Sequence, residues 1–159
     1  MSARRRPARR LLAAGAVVLA VALGAAGCGA SVEKDNAYVD EVNLAQTQFA
    51  SSFTRLSREI TASSTPAHDR KTLRAIQGSI DKTVTDLRAI APPDKVKALH
   101  GDLVDAIAGY GQAIGTAEEG LSGTVEEAAR AQSQLATDTG RASSQVTAAI
   151  SAINQKLRQ

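Results

Sequence analysis

Residues 73–114 read LRAIQGSIDKTVTDLRAIAPPDKVKALHGDLVDAIAGYGQAI. Leu73, Ile76, Ile80, Leu87 and Ile90 recur at intervals of three and four, with Val84 beside the one vacant place. After Ala91-Pro92-Pro93-Asp94 the same rhythm returns in Val96, Leu99, Leu103, Ile107, Tyr110 and Ile114. Such spacing gathers each set on one side of a helix, whereas a half-buried strand would place apolar residues at every second position. Two consecutive prolines cannot continue a helical ladder, yet Pro93 and Asp94 suit the first turn of a new helix. The stretch therefore predicts two amphipathic helices folded back on one another.

The pattern extends in both directions. Upstream, Val39, Val42, Phe49, Phe53, Leu56 and Ile60 keep the same spacing, with Gln46 filling the missing beat. Ser31 is the expected N-cap of this first helix, and Glu33 and Asp35 set negative charge against its positive end. It is expected to stop in Thr61-Ala62-Ser63-Ser64-Thr65-Pro66, after which Thr65 caps a second helix with Pro66 in its first turn. Downstream, Thr124-Val125-Glu126-Glu127 has the form of a capping box, opening a fourth helix that runs to about Leu157. Its stripe is weak early (Ala128, Leu135, Ala142) and strong late (Val146, Ile150, Ile153, Leu157).

Four amphipathic segments, short turns and no alternating strand pattern predict an all-α fold, an up-down-up-down four-helix bundle spanning residues 31–159. A three-helix core with a loose fourth member is the alternative. In the bundle, the Pro92-Pro93 turn and the end of the fourth helix lie at the end where the first helix begins. Residues 62–69 and 118–123 form the opposite tip.

Residues 1–27 have a different character. Arg4, Arg5, Arg6, Arg9 and Arg10 precede an uncharged run of 16 residues, Leu11 to Ala26, which Gly27 and the sole cysteine, Cys28, close. A basic start, an apolar run and small residues before a cut point are the parts of an export signal. Crossing a bilayer core takes about 20 helical residues, so cleavage is favoured over a retained span. Export by either the general or the twin-arginine route accommodates Arg9-Arg10-Leu11-Leu12. An unpaired cysteine is unusual in oxidising compartments, where even counts in disulfides are the rule.

Ala25-Ala26-Gly27-Cys28 resembles the lipobox of the bacterial lipoprotein class, with alanine at 25 where the class prefers leucine. The resemblance implies cleavage between Gly27 and Cys28 and a diacylglyceryl thioether on Cys28, with a further acyl group on its new amino terminus. Residues 28–30 then form a short lipidated tether, and the protein sits on the outer face of the cell membrane. The Pro-Pro and His100 spacing is similar to that of small actinobacterial lipoproteins.

The whole sequence carries 19 Lys+Arg against 16 Asp+Glu; without the five signal arginines the balance becomes 14 against 16. With no basic stripe, no tryptophan and only Tyr38, Phe49, Phe53 and Tyr110 as aromatic residues, nucleic acid is not an expected partner. These four aromatics are assigned to the core. A metal or haem bundle needs inward Glu-x-x-His pairs or axial His and Met ligands; the only histidines are His68 and His100, and the only methionine is Met1. No metal and no cofactor beyond the lipid on Cys28 is expected. Gly120-Leu121-Ser122-Gly123-Thr124 departs from a serine elbow in its last residue and follows a helix instead of a strand, so it reads as an interhelical turn. Glu118-Glu119 and Glu126-Glu127 read as a solvated acidic tip.

His68 is expected in a solvated loop. His100 is expected to be half-buried and hydrogen-bonded near the Pro-Pro turn, with a ligand-binding or pH-sensing role as the other reading. Gly101, Gly109, Gly111 and Gly115 all fall inside the third helix, where each costs about 0.5 to 1 kcal/mol relative to alanine. Close packing against an alanine-rich neighbour such as the fourth helix would compensate; a kink opening a small cavity beside Tyr110 is the alternative. No nucleophile, base and orienter occur together, so the expectation is a non-enzymatic interaction or scaffold module of the envelope with a protein partner. A small-ligand or sensing bundle using His100, Gly109, Tyr110, Gly111 and Gly115 is the second reading.

Overall fold

In a computed structural model of the chain, residues 29–59 and 64–159 are described. Four helices account for nearly all of them: α1 (Ala30–Ser57), α2 (Pro66–Ala89), α3 (Lys97–Gly120) and α4 (Val125–Leu157), with a 3₁₀ turn at Asp94–Val96. There is no strand among the described residues, and the fold is an all-α four-helix bundle.

The helix starts follow from capping chemistry in two of the places expected. Thr65 has extended backbone and its hydroxyl accepts from the His68 N–H at 3.2 Å, ahead of Pro66. Thr124 and Glu127 form the reciprocal box: the Glu127 N–H donates to the Thr124 hydroxyl at 3.2 Å and the Thr124 N–H donates to the Glu127 carboxylate at 2.6 Å. Hydrogen bonds from the Thr124 backbone and side chain hold the Glu127 carboxyl below its ordinary value. The cap of α1 is a correction. The helix begins at Ala30, the carbonyl of Gly29 accepts the Val32 N–H, and no side chain caps it, so Ser31 lies inside the first turn. α1 also ends earlier than expected, at Ser57, closing through a turn in which the Glu59 N–H donates to the Leu56 carbonyl at 3.0 Å. Ser51, Ser52 and Thr54 crowd its last turns, and hydroxyl side chains that compete for backbone hydrogen bonds weaken a helix there. Ile60 lies outside the described residues.

Cross-links establish the up-down-up-down order. Tyr38, early in α1, reaches His100, early in α3; Arg74, early in α2, reaches Glu118, late in α3; and Lys95, before α3, reaches the Leu157 carbonyl at the end of α4. α1 packs along α2, α2 along α3 and α3 along α4, the last being the most extensive contact. One apolar cluster draws on all four helices, with Val42, Ile76, Ile80, Leu87, Leu103 and Ile153 fully buried. Its α4 members are Ala149, Ile150, Ile153 and Leu157, so the second half of that helix does the packing; Leu135 in the first half is partly buried.

α3 runs unbroken through its glycines. A Cβ on Gly111 would lie 3.3 Å from Ile80 Cγ2, and one on Gly115 would lie 3.1 Å from Gln77 Nε2. The close approach is therefore to α2 and not to α4, because the glycine face points at the isoleucine stripe. Gly101 and Gly109 meet nothing within 4 Å. At the far end, a Cβ on Gly120 would collide with the Cβ of Ala131, where α3 hands over to α4. Two substitutions read these differences in chemical denaturation. Gly101→Ala gains stability by about 0.5 to 1 kcal/mol, since only chain entropy changes, whereas Gly120→Ala loses about 1 to 3 kcal/mol through overpacking.

Candidate functional site

Near the end of the bundle where α1 begins, polar groups are carried into the core. His100 sits in the first turn of α3 and is 6% exposed; Tyr38, one face over on α1, is 1% exposed. The Tyr38 hydroxyl lies 3.1 Å from His100 Nδ1, and His100 Nε2 lies 2.9 Å from the Leu87 carbonyl. A carbonyl only accepts, so Nε2 carries hydrogen; with the ring neutral, Nδ1 then accepts from the tyrosine hydroxyl. The rings meet edge-on, with centroids 5.6 Å apart. Leu87 belongs to the last turn of α2, and its carbonyl also accepts the Ile90 N–H at 3.1 Å. One imidazole thus joins α1, α2 and α3.

Burial pushes the Tyr38 phenol up to about 12, because desolvation disfavours the phenolate. A second junction lies on the outer side. Asp35, itself buried, is paired with Lys95 at 2.8 Å, and the same ammonium reaches the Leu157 carbonyl at 3.4 Å, tying α1 to the end of α4. Between the first turns of α1 and the Pro92-Pro93 turn is an open cleft of about 720 Å³, walled by Lys34, Asp35, Tyr38, Pro92, Pro93 and Lys95.

His100 is more buried than the sequence suggests, and its hydrogen bonding is as expected. Tyr110 is partly buried against the core and Gly109 faces open space, while Gly111 and Gly115 are covered by Ile80 and Gln77. These four positions do not join His100 in one site; Gly109 is nine residues farther along α3, about 14 Å at the helical rise. His68 is exposed, as expected of a turn residue. Gly27 and Cys28 lie outside the described residues. Among the described residues no group of His, Cys, Asp and Glu is arranged to hold a metal ion, and no helix is long and apolar enough to cross a membrane. The tyrosine partner of His100 and the Asp35–Lys95 pair were not legible in sequence, since each joins residues about sixty positions apart. Buried Tyr38 falls on the α1 stripe next to Val39, and that is the only signal that it faces inward.

At the other end the links are looser and wetter. Arg74 donates through Nε and Nη2 to one oxygen of Glu118, at 3.0 and 2.7 Å, and Arg70 donates to the Ser122 hydroxyl at 2.9 Å. The arginine is largely exposed, and such pairs contribute about 0 to 1 kcal/mol.

Compared with family models, with curated proteins and with solved structures, the chain matches none.

Tyr38→Phe tests the junction, because it keeps the ring and removes the donor to a buried acceptor. It is expected to cost about 1 to 3 kcal/mol in denaturant titrations at neutral pH. The sign of the pH effect also follows. The folded phenol titrates above the unfolded one, so stability falls as pH rises from about 10 through about 12, and the Phe variant lacks that component of the alkaline loss.

Proposed function

We propose that the chain is a lipid-anchored module of the bacterial cell envelope, held at the outer face of the cell membrane through a diacylglyceryl thioether on Cys28, and acting by non-enzymatic interaction or scaffolding. The observation that carries this reading is the order of the first 28 residues: five arginines, sixteen uncharged residues ending at Ala26, then Gly27 ahead of the one cysteine. The physics of attachment agrees. Each buried methylene contributes about 0.8 kcal/mol, a single acyl chain holds marginally, and two or three hold durably.

The bundle supports an interaction role over a ligand pocket. Two of the α3 glycines that raised the prospect of a cavity, Gly111 and Gly115, are covered from the α2 side by Ile80 and Gln77. What the bundle offers outward is the solvated faces of its helices and the tip formed by the starts of α2 and α4 and the end of α3. Because α1 begins at Ala30, a single glycine separates Cys28 from the helix, and the domain stands close to its anchor.

Cys28→Ala is the test. Fractionation is expected to find the variant either released from the membrane or retained at precursor size. Unchanged size together with unchanged detergent partitioning would overturn the assignment.

A further inference from the structure

The charge of the molecule is unevenly distributed along the bundle axis. Within about a turn and a half of the end where α1 starts, α1 carries Lys34, the end of α2 carries Arg88, the entry to α3 carries Lys95 and Lys97, and the end of α4 carries Lys156 and Arg158. The acids in the same zone are Glu33, Asp35, Asp86 and Asp94. Two of these are already neutralised inside the fold: Asp35 by Lys95 at 2.8 Å and Asp86 by Lys82 at 2.6 Å. That leaves Lys34, Arg88, Lys97, Lys156 and Arg158, all exposed and drawn from four different helices, against Glu33 and Asp94. The rest of the described chain is acidic, with Asp40, Glu41, Asp81, Asp102, Asp105 and Asp138 along its middle. Opposed helix ends at the zone cancel one another's dipoles, so the side chains set its sign.

We propose that this basic end is a docking surface for anionic phospholipid headgroups, and that the domain stands upright on the bilayer with its acidic body held away. The argument takes from the lipid-anchored reading only which end faces the membrane. Lys34 is four residues from the start of α1, about 6 Å. The others lie within one residue of the start or end of their own helices, and a negative leaflet acts over a Debye length of roughly 8 Å. Long lysine and arginine stems reach headgroups while their helices stay in water. An acyl tether alone fixes the distance to the membrane but leaves the domain free to tilt. A ring of cations from four helices opposes tilting, because any lean lifts one side away from the surface.

The test uses the protein purified from membranes and reconstituted into vesicles of phosphatidylcholine alone, or with about a third of the lipid replaced by phosphatidylglycerol. A water-soluble acylating reagent is applied, and modification of Lys34, Lys97 and Lys156 is measured by mass spectrometry relative to Lys71, which is exposed at the opposite end. The anionic vesicles are expected to slow the three proximal lysines several-fold relative to Lys71. High salt is expected to restore them, and Arg88→Gln with Arg158→Gln to weaken the protection while leaving the reporters in place. Equal ratios on the two vesicles, or protection that salt does not relieve, would overturn the proposal. The Cys28 peptide in the same digest reads the anchor independently: an unmodified sulfur removes the tether, while the lysine ratio still reports the surface.

Discussion

α3 has to bury apolar side chains on two sides at once, and the architecture follows from that demand. Leu103, Val104, Ile107 and Ile114 are buried, as are Ala106, Ala113 and Ala117, so the helix is lined by large residues and by small ones. α2 meets it along Ile76, Ile80 and Leu87, closely enough that Gly111 has no room for a larger side chain without movement of Ile80. α4 meets it with Ala142, Ala149, Ile150, Ile153 and Leu157, and alanines let that backbone come near over a long contact. α1 then needs only to cover what α2 and α3 leave exposed.

Where α1 closes the assembly, the core is not wholly apolar. Burying an imidazole and a phenol is costly unless their polar atoms are paired, and both nitrogens of His100 are paired, one of them with a carbonyl in the last turn of α2. Directional bonds of this kind fix the rotation of α1 relative to α2 and α3, which a stripe of interchangeable aliphatic residues does less well. The Asp35–Lys95 pair adds α4 through Leu157. Order is therefore concentrated at the end from which the proposed tether leaves, and the opposite tip is held by exposed arginine contacts.

Much of this was legible in the amino-acid order, for physical reasons particular to each element. The stripes of α2 and α3 and the two threonine caps depend on residues within a few positions of one another, and local rules describe such residues well. The start of α1 was misplaced because a serine near a helix start invites a cap, although here the helix begins at Ala30 with no side-chain cap, two residues sooner than Ser31 as a cap would allow. The glycines of α3 were assigned to the wrong neighbour, since composition favoured the alanines of α4 while the actual partner depends on which way the helix is rotated. The His100 junction rests on pairings sixty-two and thirteen residues apart, and nothing in the order of residues near His100 names Tyr38.

The proposed role stands on chemistry at one sulfur beyond the bundle, and the most direct measurement is the mass of the amino-terminal peptide of the native, membrane-extracted protein. The account predicts a peptide that begins at Cys28 and is heavier than its sequence by a diacylglyceryl group, with or without an additional acyl chain. A free thiol there, or a peptide that still carries Arg9 and Arg10, would contradict it.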